Sequence, residues 1–150
     1  MVHLVYCDDK EKVLEKVLEG SKTMIIRAAA ARKIPHSRVH EGETLYFMKK
    51  GTKKISATAT VKSVQNYTKL AEDERQKVLA DNQGKLNLSK NQQKRWNKKC
   101  MCLVEFENMN QISPLDFEHQ RNMDDWLILE KIEDVVVGSS KNFSYDNSRF

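Results

Sequence analysis

The run from Ile55 to Val64, Ile-Ser-Ala-Thr-Ala-Thr-Val-Lys-Ser-Val, constrains the fold of this chain more than any other segment. Apolar and polar residues alternate along it, a period that puts Ile55, Ala57, Ala59 and Val61 on one face of a half-buried strand. A half-buried strand needs a sheet around it. Thr44 to Lys49 supplies a partner across the turn Lys50-Gly51-Thr52, so the two form a hairpin. Val2 to Tyr6, Thr23 to Arg27, Cys100 to Glu107 and Trp126 to Leu129 are further strands by their β-branched and aromatic content. Ile112 to Phe117 reads as a Pro-interrupted continuation of the strand before it.

Between these strands the period changes. Val13, Leu14, Val17 and Leu18 recur at helical spacing, Asp8 or Asp9 offers an N-cap, and Gly20 closes the pattern, which predicts a helix over 10–19. Residues 69–81 and 87–98 are also helical by pattern, the second with Ser89 as N-cap and basic in character. The loop 32–38 is kept out of helix by Pro35. Five or six strands and two or three helices, without regular βαβ alternation, make an α+β fold with a curved or barrel-like sheet. The expected domain covers 1–133, and 134–150, with Gly-Ser-Ser and little periodicity, reads as a C-terminal tail.

Composition excludes several classes. A chain of 150 residues, 39% hydrophobic and 31% charged, is long enough for one core and too apolar for general disorder. Its apolar runs fall far short of the ~20 residues that span a bilayer. The first nine residues have neither a basic start nor an adequate apolar run, which predicts no secretory leader and a cytoplasmic location. Cys7, Cys100 and Cys102 form an odd set without a C-x-x-C pair, and they read as reduced core thiols. His36 and His40 flank a turn rather than share a helix face, so neither metal nor cofactor is expected.

The net charge of +5 is modest, and its distribution is more informative. Residues 85–99 hold six basic side chains, no acid and Trp96, whereas 105–134 is acidic. Arg27, Arg32, Lys33, His36 and Arg38 form a second set without intervening acids, suited to phosphate contacts or to solvated surface. Lys22, just after Gly20, fits either a cation at a helix C-terminus or a cleft lysine whose desolvation makes it a base. Trp96 among its lysines suits base stacking or core packing, and core is the expectation for both Trp96 and Trp126. No G-x-S-x-G, H-E-x-x-H or phosphate-loop pattern occurs.

The order of these segments resembles an ASCH domain of the PUA-like superfamily over roughly residues 2–130. The resemblance rests on Leu18-Glu-Gly-Ser-Lys-Thr23, a strand ending in Arg27, Ile34-Pro-His-Ser-Arg-Val-His-Glu-Gly-Glu-Thr-Leu-Tyr-Phe-Met48, the Ala57-Thr-Ala-Thr-Val-Lys-Ser-Val64 strand, and Trp126-Leu-Ile-Leu129. It implies a PUA-like β pseudo-barrel and binding of RNA, single-stranded nucleic acid or a modified base in a basic cleft. With the acid-free clustering described above, the candidate nucleic-acid-binding residues are Lys22, Thr23, Arg27, Arg32, Lys33, His36, Arg38 and Arg121. The alternative the resemblance implies is an amidohydrolase or nuclease acting on modified nucleosides or RNA, with Lys22 and Glu72 or Glu74 in proton transfer. Small ASCH amidohydrolases are similar around Gly-x-Lys-Thr-x-Thr-x-Arg, but here Ile25 replaces the second threonine and cannot form its hydrogen bonds.

Topology then predicts a geometry. Lys22, Arg27 and one of Arg32, Lys33, His36 and Arg38 are expected to line one pocket between the first helix and the 44–64 hairpin, with Ile34 or Tyr46 as its apolar wall. A third reading makes the basic face a docking surface for an acidic protein. Oligomeric state has no signature in the sequence.

Overall fold

The computed structural model describes residues 1–119 and 124–139. Six strands, β1 (Val2–Cys7), β2 (Met24–Ala29), β3 (Thr44–Lys49), β4 (Lys54–Tyr67), β5 (Cys100–Asp116) and β6 (Trp126–Leu129), form one sheet in the order β2-β5-β4-β3-β1-β6. β1 pairs parallel to β3, and the other neighbours are antiparallel. The sheet curls into a half-barrel, and with helices α1 (Val13–Leu18), α2 (Glu72–Leu86) and α3 (Lys90–Trp96) the architecture is α+β. Among the described residues no helix is long and apolar enough to cross a membrane.

Strand parity distributes the core. On β5, Cys102, Val104 and Phe106 face the inside of the curl with Phe47, Val61 and the α1 residues Val13, Leu14 and Val17. Met101 and Leu103 point the other way, under Leu79 and Leu86 of α2 and Trp96 of α3. A third cluster joins Leu4, Met48, Ile55 and Leu127 to Ile132 and Val135. Fully burying a side chain such as Leu103 or Leu127 stabilises the fold by ~1.5–3 kcal/mol.

The alternation in β4 holds in burial but not in one respect: Ile55 does not share a face with Ala57, Ala59 and Val61. Met48 pairs with Ile55 while Phe47 pairs with Ala57, so Ser56 is the extra residue of a β-bulge. The bulge turns Ile55 to the third cluster, whereas Ala57 stays with the first. Opposite it, Ile55 pairs with Leu115 and Ala57 with Gln111, so Pro114 sits where the β4–β5 ladder slips. β5 therefore runs unbroken through its proline.

Helix ends differ from expectation for local reasons. α1 starts at Val13 because Lys12 adopts a left-handed φ of 56°, and Asp8 caps a preceding turn through the Glu11 N–H at 3.3 Å. α2 runs on to Leu86 and ends at left-handed Asn87. In α3 the Ser89 hydroxyl accepts the Gln92 N–H at 3.1 Å, the expected cap. From residue 134, where the tail was expected, Val135 is fully buried and Val136 bridges to Phe117; residues 140–150 lie outside the described region.

Candidate nucleic-acid interface

The C-terminal end of β2, the loop that follows it, α3 and the start of β6 enclose a cavity of about 310 Å³. Its walls include Arg27, Lys33, His36, Arg95 and Lys98 as basic groups, Asp124 and Asp125 as acids, and Ile34, Trp96, Cys100 and Trp126 as less polar surface. β2 carries Arg27 to this place because antiparallel pairing sets Arg27 against Cys102 and Ala29 against Cys100.

Arg27 is the organising side chain. Its guanidinium donates to the carbonyls of Ile26 at 2.9 Å and Tyr6 at 2.7 Å, and lies 5.4 Å from the Trp96 ring centre and 5.7 Å from that of Trp126. Burial pushes its pKa below the ordinary arginine value, opposed by the nearby Asp125 carboxylate, and a guanidinium remains charged under these conditions. Its Nε is buried with no hydrogen-bond partner among the described residues. Arg95 lies 4.5 Å over Trp96 and reaches Asp8 at 3.2 Å and Asp125 at 3.1 Å. Burial acts to raise the Asp125 pKa, but Lys50 at 2.9 Å, Arg27 and Arg95 outweigh it and hold the carboxyl below its usual range.

The remaining walls are fixed by polar contacts. Buried Asp124 pairs with the exposed Lys33 ammonium at 3.0 Å. His36 is buried and its pKa is lowered by that burial; neutral, it donates from Nε2 to the Tyr67 carbonyl at 3.1 Å and accepts the Ser37 hydroxyl at Nδ1. Trp126 donates its indole N–H to His3 Nδ1 at 3.0 Å, and His3 in turn donates to Glu43 at 2.9 Å. Trp96 donates to Gln92. Both tryptophans are packed in the core, as expected, and each also shows an edge to the cavity.

Of the expected site residues, Arg27, Lys33 and His36 converge here, with Ile34 as an apolar wall. The expected boundary is corrected: α3, not α1 or the hairpin, forms the far wall, and Tyr46 packs instead in the third core cluster. Arg32 is exposed and Arg38 half-buried, and neither lines the cavity. Thr23 lies outside it too, its backbone joined to Lys85 and Phe106. Arg121 falls outside the described residues.

Lys22 does not reach the cavity either. Its side chain is 3% exposed, and its ammonium donates to the Leu86 carbonyl at the C-terminus of α2. Burial, reinforced by Arg27 and Lys16, lowers its pKa to about 7. Glu72 and Glu74 begin the helix whose last carbonyl, that of Leu86, accepts the Lys22 ammonium, a separation along the helix of roughly 18–21 Å at 1.5 Å per residue. Glu72 bonds Arg75, Gln76 and Asn97, and Glu74 accepts the Ala71 N–H at 2.8 Å, half of a capping box. Ile25 is buried in the first core cluster. The candidates for proton transfer are therefore not assembled into one site.

Arg95, Lys98, Asp124 and Asp125 were missing from the expected set. The signal for the first two was the acid-free run 85–99, which pattern alone did not connect to Arg27. Among the described residues no cluster of three or more His, Cys, Asp or Glu could hold a metal.

The fold is ASCH-like. The chain is similar to the crystal structure of ASCH from Zymomonas mobilis, with a TM-score of 0.64 and 10% sequence identity over 87% of this chain and 88% of that one. Two single-substitution variants of that protein give the same TM-score, with 91% and 89% of their chains covered. No family model matches the chain, and no curated protein does.

Proposed function

We propose that this chain is a nucleic-acid-binding domain that seats one base or nucleotide of an RNA strand in the Arg27–Trp126 cleft. The observation that carries the reading is the cleft's composition: indole and aliphatic walls beside the cations Arg27, Lys33, Arg95 and Lys98, which outnumber the carboxylates Asp124 and Asp125. A cavity of about 310 Å³ lies at the lower end of the ~300–1,000 Å³ of small-ligand sites, which suits a single nucleotide. Cations supply phosphate contacts and the apolar wall accepts a base. A cytoplasmic setting fits three free, buried thiols.

The test is a titration of labelled, mixed-sequence single-stranded RNA over a range of salt concentrations. Affinity is expected to fall with salt, and Lys33→Ala with Lys98→Ala to make the logarithmic slope shallower by about 0.7 for each lost phosphate contact. No binding, or binding indifferent to salt, removes this reading.

A further inference from the structure

We propose that the cleft is one end of a longer path, and that the strand leaving it runs over α3 into the groove between α2 and α3, so that the ligand is a single-stranded polynucleotide rather than a free nucleotide. This rests on the cleft reading above, and it is carried by a different set of residues.

The first observation is how cations are neutralised. Most lysines of the described chain that lie near a carboxylate use it: Lys33 with Asp124, Lys50 with Asp125, Lys77 with Asp81, Lys85 with Glu105. In the basic run 85–99, Lys85 and Arg95 are paired in this way, but Lys90, Lys94, Lys98 and Lys99 are exposed and have no acidic partner among the described residues. The other unpaired lysines are scattered, and Lys10, Lys12 and Lys131 each adjoin an aspartate or glutamate in the chain. Four uncompensated ammonium groups within ten residues are the largest such concentration among the described residues.

The second observation is what α3 separates. Arg95 and Trp96 face the cleft, whereas Lys90, Gln93, Lys94 and Asn97 line the groove against Gln76 and Gln83 of α2. That groove, about 680 Å³, has amide, ammonium and aliphatic walls and no carboxylate. Glu72, at the start of α2, is occupied by Arg75, Gln76 and Asn97. Lys90 and Lys94 are one turn apart on one face of α3, and Lys98 lines the cleft itself, so the unpaired charge is continuous from cleft to groove. Ammonium groups neutralise phosphates without reading sequence, and amides add donors to phosphate oxygens. An acid-free, part-apolar groove beside a nucleotide-sized cleft has the charge and shape of a single-strand channel.

The experiment compares wild type with Lys90→Ala/Lys94→Ala/Lys99→Ala, three exposed changes outside the cleft whose fold is checked by thermal unfolding. The probes are a nucleoside 5′-monophosphate, single-stranded RNA and DNA of about ten nucleotides, and polyglutamate. Wild type is expected to bind the oligonucleotides tighter than the monophosphate. The triple variant is expected to lose that excess, with a salt slope shallower by about two units, and to bind the monophosphate unchanged. An unchanged slope in the variant overturns the path, as does polyglutamate binding that matches the oligonucleotides and falls equally. If monophosphate binds and oligonucleotides bind no tighter, the path fails and the cleft reading stands. If the oligonucleotide slope depends on the three lysines but not on Lys33 and Lys98, the lysine surface stands and the cleft reading fails.

Discussion

β2 has a cation near each end, and the two have opposite fates. Lys22, just before the strand, is sealed beneath the last turn of α2, where the Leu86 carbonyl takes its ammonium. Arg27, within the strand, is bonded to the carbonyls of Ile26 and Tyr6 yet still forms part of a cavity wall. Five positions apart, one is sealed in the structure and the other borders a cavity. The difference comes from what packs over each end. A helix C-terminus presents carbonyls that absorb a compact ammonium, whereas the planar guanidinium lies against two indoles at a cavity wall.

The strongest test of this contrast is Arg27→Ala. It strips donors from the Tyr6 and Ile26 carbonyls and removes the cation beside Asp125, at an expected cost of about 2–4 kcal/mol in urea unfolding. RNA binding is expected to vanish in conditions where the variant remains folded. A loss below about 1 kcal/mol would mean that the guanidinium is held no more firmly than a surface arginine.

Within one pH unit above neutrality a smaller effect, dependent on pH, is expected at the other end. The Lys22 pKa is about 7 in the folded chain against an ordinary value of 10.5. Between those values the unfolded chain binds the extra proton, so Lys22 makes the wild type more stable as pH rises, by up to about 1.4 kcal/mol per pH unit. Lys22→Met lacks this contribution. The wild-type-minus-variant stability is expected to be flat below pH 7 and to climb above it in denaturant midpoints measured across that range. A flat difference throughout would place the Lys22 ammonium in water, erasing the contrast with Arg27.

The smallest effect separates α2's start from the cleft. Glu74→Ala removes a backbone cap and is expected to cost about 0.5–1 kcal/mol without changing RNA affinity. A fall in affinity at unchanged fold would bring the first turn of α2 into the site.

Much of this arrangement was legible in the sequence. Alternation located the hairpin and its buried face, Ser89 marked the start of α3, and the acid-free stretches around Arg27 and Trp96 marked the basic surface. The bulge at Ser56 was not legible, because the period on either side of it is unbroken and only pairing with Met48 and Phe47 reveals the extra residue. Nor was the choice between Lys22 and Arg27: one cation precedes the strand and the other lies within it, and the carbonyl that buries Lys22 comes from a residue 64 positions away.

Strand and helix content, the Ser89 cap and charge runs follow from the sequence alone because they depend on side-chain period and local backbone chemistry. Concavity does not. Only the pairing of β2 with β5 and the docking of α3 bring Arg27, Lys33, Trp96 and Asp124 around one space. Those contacts join segments up to about a hundred residues apart, and their geometry is decided when the sheet curls and the helices cover it.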